Sequence, residues 1–236
     1  MLNNTGFGSN KDEAIKLLQT TINILNEFKV THFLISGTLL GYIRHNDFIP
    51  WDDDIDLLVD EDIIGKLDDI LKKYKNINIF KKNDKYDSIK ICFSEGIEIP
   101  NNKRVEEWKK NSISESNKYC WPYVDLFIYE CGPSIHSCAK EPKEAKIGNI
   151  NVKIFDPFSG ECSECFRLFT ESEISFFHNE WNKDQFFPPK KVNFLGVECN
   201  IPNNSDYFLG INYGPDYMTE LKKSKSIHKI EQIHND

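Results

Sequence analysis

Arginine is nearly missing from this chain. It occurs only at positions 44, 104 and 167, and lysine supplies the rest of the 29 basic residues. Acidic residues number 37, so the net charge is −8. That balance excludes the class of proteins that hold a polyanion through clustered Lys and Arg, and no nucleic-acid partner is expected. It leaves room for a nucleotide whose phosphates are carried by metal. Long apolar runs are missing too: nothing approaches the ~18 residues of a membrane span. Residues 1–10 are polar and hold no hydrophobic signal region. As encoded, the chain is expected to be cytoplasmic with no transmembrane segment, and the sequons at Asn3 and Asn203 then carry little weight. Internal repeats and clear linkers are also lacking.

Seven cysteines, an odd number, fit reduced thiols better than a complete disulfide framework. Cys162 and Cys165 form a C-x-x-C pair, with Cys131, His136 and Cys138 upstream and His178 downstream. Mixed Cys and His ligands can hold a structural Zn2+, but this spacing matches no regular zinc module. Buried or surface thiols are the favoured reading, and a zinc here would brace the fold rather than do chemistry.

What is present is a mixed pattern of helices and strands. Ile15, Leu18, Ile22, Leu25 and Phe28 recur at helical spacing, behind a capping box of Asn10 and Glu13. A strand over 31–36 is expected next, then a glycine turn at Ser36-Gly37 and a helix over 38–45. A short apolar strand follows at 55–59 and an amphipathic helix at 61–75. Strands are expected near 77–81, 88–94 and 123–129, with a polar loop or loose helix over 101–118. Residues 147–155 suggest further strands, 171–181 a helix, 192–201 a hairpin around Leu195-Gly196, and 204–213 a last helix. The Lys/Ser/His-rich tail over 222–236 is expected to be mobile. The fold class is α/β (α+β), read as one domain over 10–221.

The chemistry concentrates between Ser36 and Asp56. Asp52, Asp54 and Asp56 precede Leu57, Leu58 and Val59, and would share one face if strand geometry begins that early. Two such charges about 7 Å apart repel by roughly 2 kcal/mol at an effective dielectric near 20. A divalent cation is the obvious offset. Trp51 and the apolar run bring these acids to the edge of a core rather than into a solvated turn. An EF-hand calcium loop fails, because it needs Gly where Leu57 stands and Glu where Ile63 stands. Asp53 alternates away and reads as a local backbone or ion-pair partner.

Phosphoryl chemistry also needs a phosphate cradle. Backbone N–H groups at Gly37 and Thr38, opening a helix, can supply one, and the Ser36 and Thr38 hydroxyls can add donors. The alternative is a plain strand-to-helix turn with Ser36 as its cap. Arg44 is more telling: it is one of only three arginines in the chain and lies between the turn and the acids, and its fork matches phosphate as lysine does not. His45 can donate to phosphate, move a proton, or make a structural hydrogen bond. Asp125 interrupts the apolar strand Tyr123-Val-Asp-Leu-Phe-Ile, where a charge is costly unless paired or metal-bound. Joining Asp54 and Asp56 is preferred there to pairing with a lysine.

Ser36-Gly-Thr-Leu-Leu-Gly-Tyr-Ile-Arg-His45 followed by Phe48-Ile-Pro-Trp-Asp-Asp-Asp-Ile-Asp56 closely resembles the signature of the LicD family. That family includes bacterial phosphocholine transferases and the fukutin-type proteins of animals. Tyr123-Val-Asp-Leu-Phe-Ile resembles its later aspartate strand. Phe187-Pro-Pro-Lys-Lys-Val-Asn-Phe-Leu-Gly-Val, Ile201-Pro-Asn-Asn and Tyr213-Gly resemble its C-terminal region. The resemblance runs through most of 31–218 and is weakest over 130–181.

It implies a nucleotidyltransferase-type mixed sheet flanked by helices, with a C-terminal elaboration. It also implies transfer of a phospho-linked group, such as phosphocholine or a polyol phosphate, from a CDP-activated donor to a sugar hydroxyl of a glycan. On this resemblance Asp54 and Asp56, with Asp52 secondary, would bind Mg2+ or Mn2+, two ions being expected. Asp125 would be the third carboxylate, near the acceptor hydroxyl. Gly37, Thr38 and Arg44 would contact the donor phosphates. Two alternatives stay open: an NTP-dependent nucleotidyltransferase that releases pyrophosphate, and a non-catalytic nucleotide- or glycan-binding relative.

Overall fold

Helix α1 (Lys11–Glu27) buries Ala14, Leu17, Leu18, Ile22, Ile24 and Leu25 along one stripe, the result of their helical spacing. The expected capping box does not form. A 3-10 turn, Gly8–Asn10, leads directly into the helix, and the Asn10 side chain caps nothing. The structure is a computed structural model that describes residues 6–82, 88–131, 135–139, 143–147, 150–154, 165–168, 173–176 and 179–219.

After α1 the chain runs through β1 (His32–Leu34), α2 (Ser36–His45) and β2 (Ile55–Asp60). The segment expected as one helix over 61–75 is instead a 3-10 turn, Glu61–Lys66, followed by α3 (Leu67–Lys73). Then come β3 (Ile77–Lys82), β4 (Ser88–Glu98), α4 (Lys103–Lys110) and β5 (Cys120–Cys131). The polar stretch over 101–118 thus holds a defined helix, α4. Its N-cap, Asn102, accepts a hydrogen bond from the Val105 N–H at 2.9 Å, and Val105 and Trp108 are its buried residues.

The next strands are β6 (Ile135–Ala139), β7 (Lys143–Ile147), β8 (Ile150–Ile154), β9 (Cys165–Leu168), β10 (Glu173–Phe176) and β11 (Asn179–Asn182). The helix expected over 171–181 is therefore absent from its described residues. Glu-Ile-Ser-Phe alternates with period two, and β10 pairs antiparallel with β11. The chain continues through β12 (Lys190–Phe194), β13 (Val197–Ile201) and α5 (Ser205–Tyr213).

The chain divides into two compact units, one of residues up to Tyr129 together with those from Asp184 onward, the other Glu130–Lys183. In the first, five strands form a mixed sheet in the order β1-β2-β5-β4-β3, with β2 and β5 parallel and the other neighbours antiparallel. Ile55 to Val59 are all buried, as expected of a parallel strand covered on both faces. Helix α2 packs on β2, α1 on β4, and α3 and α4 on β3.

The β12–β13 hairpin packs against β1 and α1, and α5 packs against α2. The hairpin turns through Leu195 and Gly196, both at positive φ (54° and 84°), which matches the right-handed twist of the strands it joins. In the second unit β6 pairs with β9, β7 with β8, and β10 with β11 and with the Glu130–Cys131 end of β5, all antiparallel. The cysteine side chains considered for zinc there, and the tail over 222–236, lie outside the described residues. Among the described residues, no helix is long and apolar enough to cross a membrane.

Candidate active site

The glycine turn opens α2 through a left-handed residue: the N-cap Ile35 is extended, and Ser36, the first residue of the helix, takes φ +47°. The first N–H groups of a helix have no acceptor within it, so the start of α2 offers donors. The turn is tied to the acidic strand by both backbone groups of Asp56. Its N–H donates to the buried Thr38 Oγ1 at 2.8 Å, and its carbonyl accepts from the Ile35 N–H at 3.3 Å. Thr38 is thus a brace between turn and strand.

Gly37 lies close against the Asp52 side chain. A Cβ there would lie 2.1 Å from Asp52 Oδ2, so the Asp52 carboxylate occupies the space that any other residue would fill. Gly41, one turn on, similarly admits the returning loop, because a Cβ would meet the Asp47 carbonyl oxygen at 2.6 Å.

Strand β2 begins only at Ile55, so Asp52 does not share a strand face with Asp54 and Asp56 as the alternation suggested. The carboxylates still converge. Asp54, Asp56 and Asp125 each offer an oxygen within 4.8 Å of the others, and so do Asp52, Asp53 and Asp54, with Asp54 common to both groups. Asp53, read from the sequence as a local partner, instead has its backbone carbonyl tied to a distant strand, accepting from Trp121 Nε1 at 2.8 Å.

Asp125 arrives through sheet register, directly opposite Asp56 on the parallel strand. Its carboxylate is also gripped by Lys90 Nζ, at 2.5 Å to Oδ1 and 2.6 Å to Oδ2. The sequence reading set lysine pairing against joining Asp54 and Asp56; the structure has both. Lys90 is the residue that reading missed. Its signal was a lysine between Ile89 and Ile91 in an apolar strand, the same interruption that marked Asp125.

The electrostatics follow from crowding. Burial, the Asp54 charge and a hydrogen bond to Asp54 push the Asp52 carboxyl up to about 8. Burial, followed by the charges of Asp54, Asp125 and Asp52, holds Asp56 well above the usual carboxylate range, while Lys90 opposes the shift. Two ionised oxygens at 4.8 Å repel by on the order of 3 kcal/mol at an effective dielectric near 20. One lysine does not offset four such acids. An all-oxygen set of this kind suits a hard divalent cation such as Mg2+ or Mn2+, and the residues fit such an ion.

Tyr213, at the end of α5, lies within electrostatic reach of the same acids. Desolvation and the charges of Asp56, Asp52 and Asp54 raise its phenol. The sequence marked it only within a C-terminal block. Arg44 and His45 occupy the last turn of α2. Arg44 lies about 10 Å of helix rise from Gly37 on nearly the same face. Its Nε and one terminal nitrogen, Nη2, are buried with no hydrogen-bond partner. The His45 ring meets Trp51 edge to face, with centroids 6.5 Å apart.

Comparison with known proteins adds a family. A family profile described as LicD/FKTN/FKRP, nucleotidyltransferase domain, matches residues 29–159. The lipopolysaccharide cholinephosphotransferase LicD of Haemophilus influenzae is 43% identical over 47 residues, which is 20% of this chain and 18% of that protein. An uncharacterised protein of Rickettsia typhi is 35% identical over 71 residues, 30% of this chain and 23% of the relative. The matches thus span about a fifth of these curated relatives. The lincomycin-bound crystal structure of the lincosamide antibiotic adenylyltransferase LnuA aligns with 86% of this chain and 94% of its own, at 11% identity and a TM-score of 0.40.

Proposed function

The chain belongs to the LicD/FKTN/FKRP family through its nucleotidyltransferase domain, and from that premise we propose that it is a metal-dependent transferase. It moves a phospho-linked group from a CDP-activated donor to a sugar hydroxyl of a glycan. The observation that carries this reading is the convergence of Asp54, Asp56 and Asp125, all buried, beside the opening turn of α2.

Asp54 and Asp56, with Asp52 in support, would hold a divalent ion, which when bound would supply positive charge to offset the charge that builds on the phosphoryl oxygens. The chain's own groups bind and orient the donor. The N–H groups of Gly37 and Thr38 meet the phosphates at the positive end of the helix. Arg44 meets the donor with its fork, which explains why two of its N–H groups are left buried and unpaired in the free protein. The balance is simple: the acceptor oxygen bonds to the donor's β-phosphorus, the bond from that phosphorus to the bridging oxygen breaks, and CMP leaves. The acceptor proton passes to a carboxylate, and Asp125, on the strand beside that of Asp56, is the candidate. Rate comes mostly from positioning and charge.

The reading is tested by incubating the protein with CDP-choline or CDP-ribitol, sugar acceptors and Mg2+ or Mn2+, and measuring CMP. Metal-dependent CMP release, lost in Asp54→Asn and Asp56→Asn variants that still fold, is the expected result. Pyrophosphate release from CTP or ATP would replace it with a nucleotidyl transfer. Metal-dependent donor binding without turnover on any acceptor would replace it with a binding module.

A further inference from the structure

We propose that Lys90 is the positioning residue of the acidic cluster: it fixes the Asp125 carboxylate so that one oxygen meets Asp54 and Asp56, and thereby sets the cluster's affinity for a divalent cation. The inference rests on the metal-binding reading given above. Lys90, Asp125 and Asp56 stand directly opposite one another across three neighbouring strands, β4, β5 and β2. Residues in such a row project to the same face of the sheet. Asp125 is therefore the middle member, with an ammonium on one side and a carboxylate on the other.

The lysine is confined. It is 3% exposed, and its Nζ lies 3.9 Å from the Tyr123 ring centroid and 5.2 Å from that of Trp108. Tyr123 is two residues before Asp125 on the same strand, and Trp108 comes from α4. Cation–π contacts with both rings offset part of the cost of burying the ammonium. An exposed lysine samples many rotamers and would leave its partner free to turn. Held against two rings, this one contacts both Asp125 oxygens at hydrogen-bond distance. A carboxylate has about four lone-pair sites, so the grip leaves acceptor capacity on each oxygen while defining where it points.

The test is a double-mutant cycle on Mn2+ binding, with Mn2+ alone titrated calorimetrically into wild type, Lys90→Met, Asp125→Asn and the double variant, beside thermal melts of each. Methionine is of similar length and keeps an apolar contact with the rings. The expected result is a tenfold or greater loss of Mn2+ affinity in Lys90→Met and in Asp125→Asn, with no further loss in the double variant. A purely structural ion pair would lower the melting temperature but leave the affinity of the folded protein unchanged. Wild-type affinity in Lys90→Met, or an added loss on the Asp125→Asn background, overturns the inference alone. Failure of wild type to bind Mn2+ overturns the metal reading and this inference with it. Should Lys90→Met not fold, the comparison of Asp125→Asn with wild type and with the double variant decides.

Discussion

The Asp52 carboxylate lies against the Cα of Gly37, its Oδ2 2.1 Å from where a Cβ would be. A methyl group at Gly37 therefore displaces Asp52 and fills the mouth of the helix N-terminus at the same time. Alanine is worth up to ~1 kcal/mol more than glycine within a helix, and a short side chain can swing aside. Gly37→Ala is expected to fold with unchanged or slightly higher stability, yet to lose tenfold or more in kcat/KM. Wild-type kinetics in this variant would remove the turn from the site.

Thr38 couples the turn to the acidic strand. Thr38→Val keeps the shape but leaves the buried Asp56 N–H without its acceptor, a loss of about 1–3 kcal/mol. Urea unfolding of the metal-free protein reads it, and a change under about 0.5 kcal/mol would mean the bond contributes little.

The raised carboxyls make stability depend on pH. Asp52 titrates at about 8 in the folded protein against an ordinary value of 3.8, and Asp56 is raised in the same direction. Between those values the folded state holds protons that the unfolded chain has released, so stability falls as pH rises. The metal-free melting temperature is expected to drop from pH 5.5 to pH 8.5. Because a divalent cation takes the place of those protons, the rise in melting temperature caused by Mn2+ should be larger at pH 8.5. A flat or rising profile without metal would contradict the crowding described here.

Arg44 carries two buried N–H groups without partners in the free protein. Arg44→Lys, which removes the fork but keeps the charge, is expected to weaken binding of a CDP-linked donor about tenfold, in line with the 1.5–3 kcal/mol of a charged hydrogen bond. Stability should change little. Equal donor affinity, measured by calorimetry, would detach Arg44 from the phosphates.

The hairpin turn offers a test remote from the acids. Leu195 sits at φ +54°, where a branched apolar residue is strained and asparagine is at ease. Leu195→Asn is expected to stabilise by roughly 1 kcal/mol, read from the urea midpoint. Destabilisation would show that the half-buried leucine side chain outweighs its backbone strain.

Much of the first unit was legible because its signals are local. The spacing of Leu18, Ile22 and Leu25 produces α1, and Leu195-Gly196 between two alternating runs produces the hairpin. Misreadings arose where a short signal was ambiguous. Glu171 to Trp181 has enough apolar residues for a helix, but the described part pairs as strands. Asn10 and Glu13 have the right spacing for a capping box, yet a 3-10 turn runs directly into the helix and the Asn10 side chain makes no cap hydrogen bond.

By itself the sequence determined which chemistry is available: an acidic row beside a glycine turn, one well-placed arginine, and an aspartate alone in an apolar strand. These are readable because charge next to apolar residues is costly wherever the chain goes. Only tertiary structure decided how the groups meet. Strand pairing set Asp125 opposite Asp56 and Lys90 opposite Asp125, and the loop before β2 laid Asp52 on Gly37. Sheet register is a property of two strands together, so no single stretch of sequence records which carboxylate faces which cation.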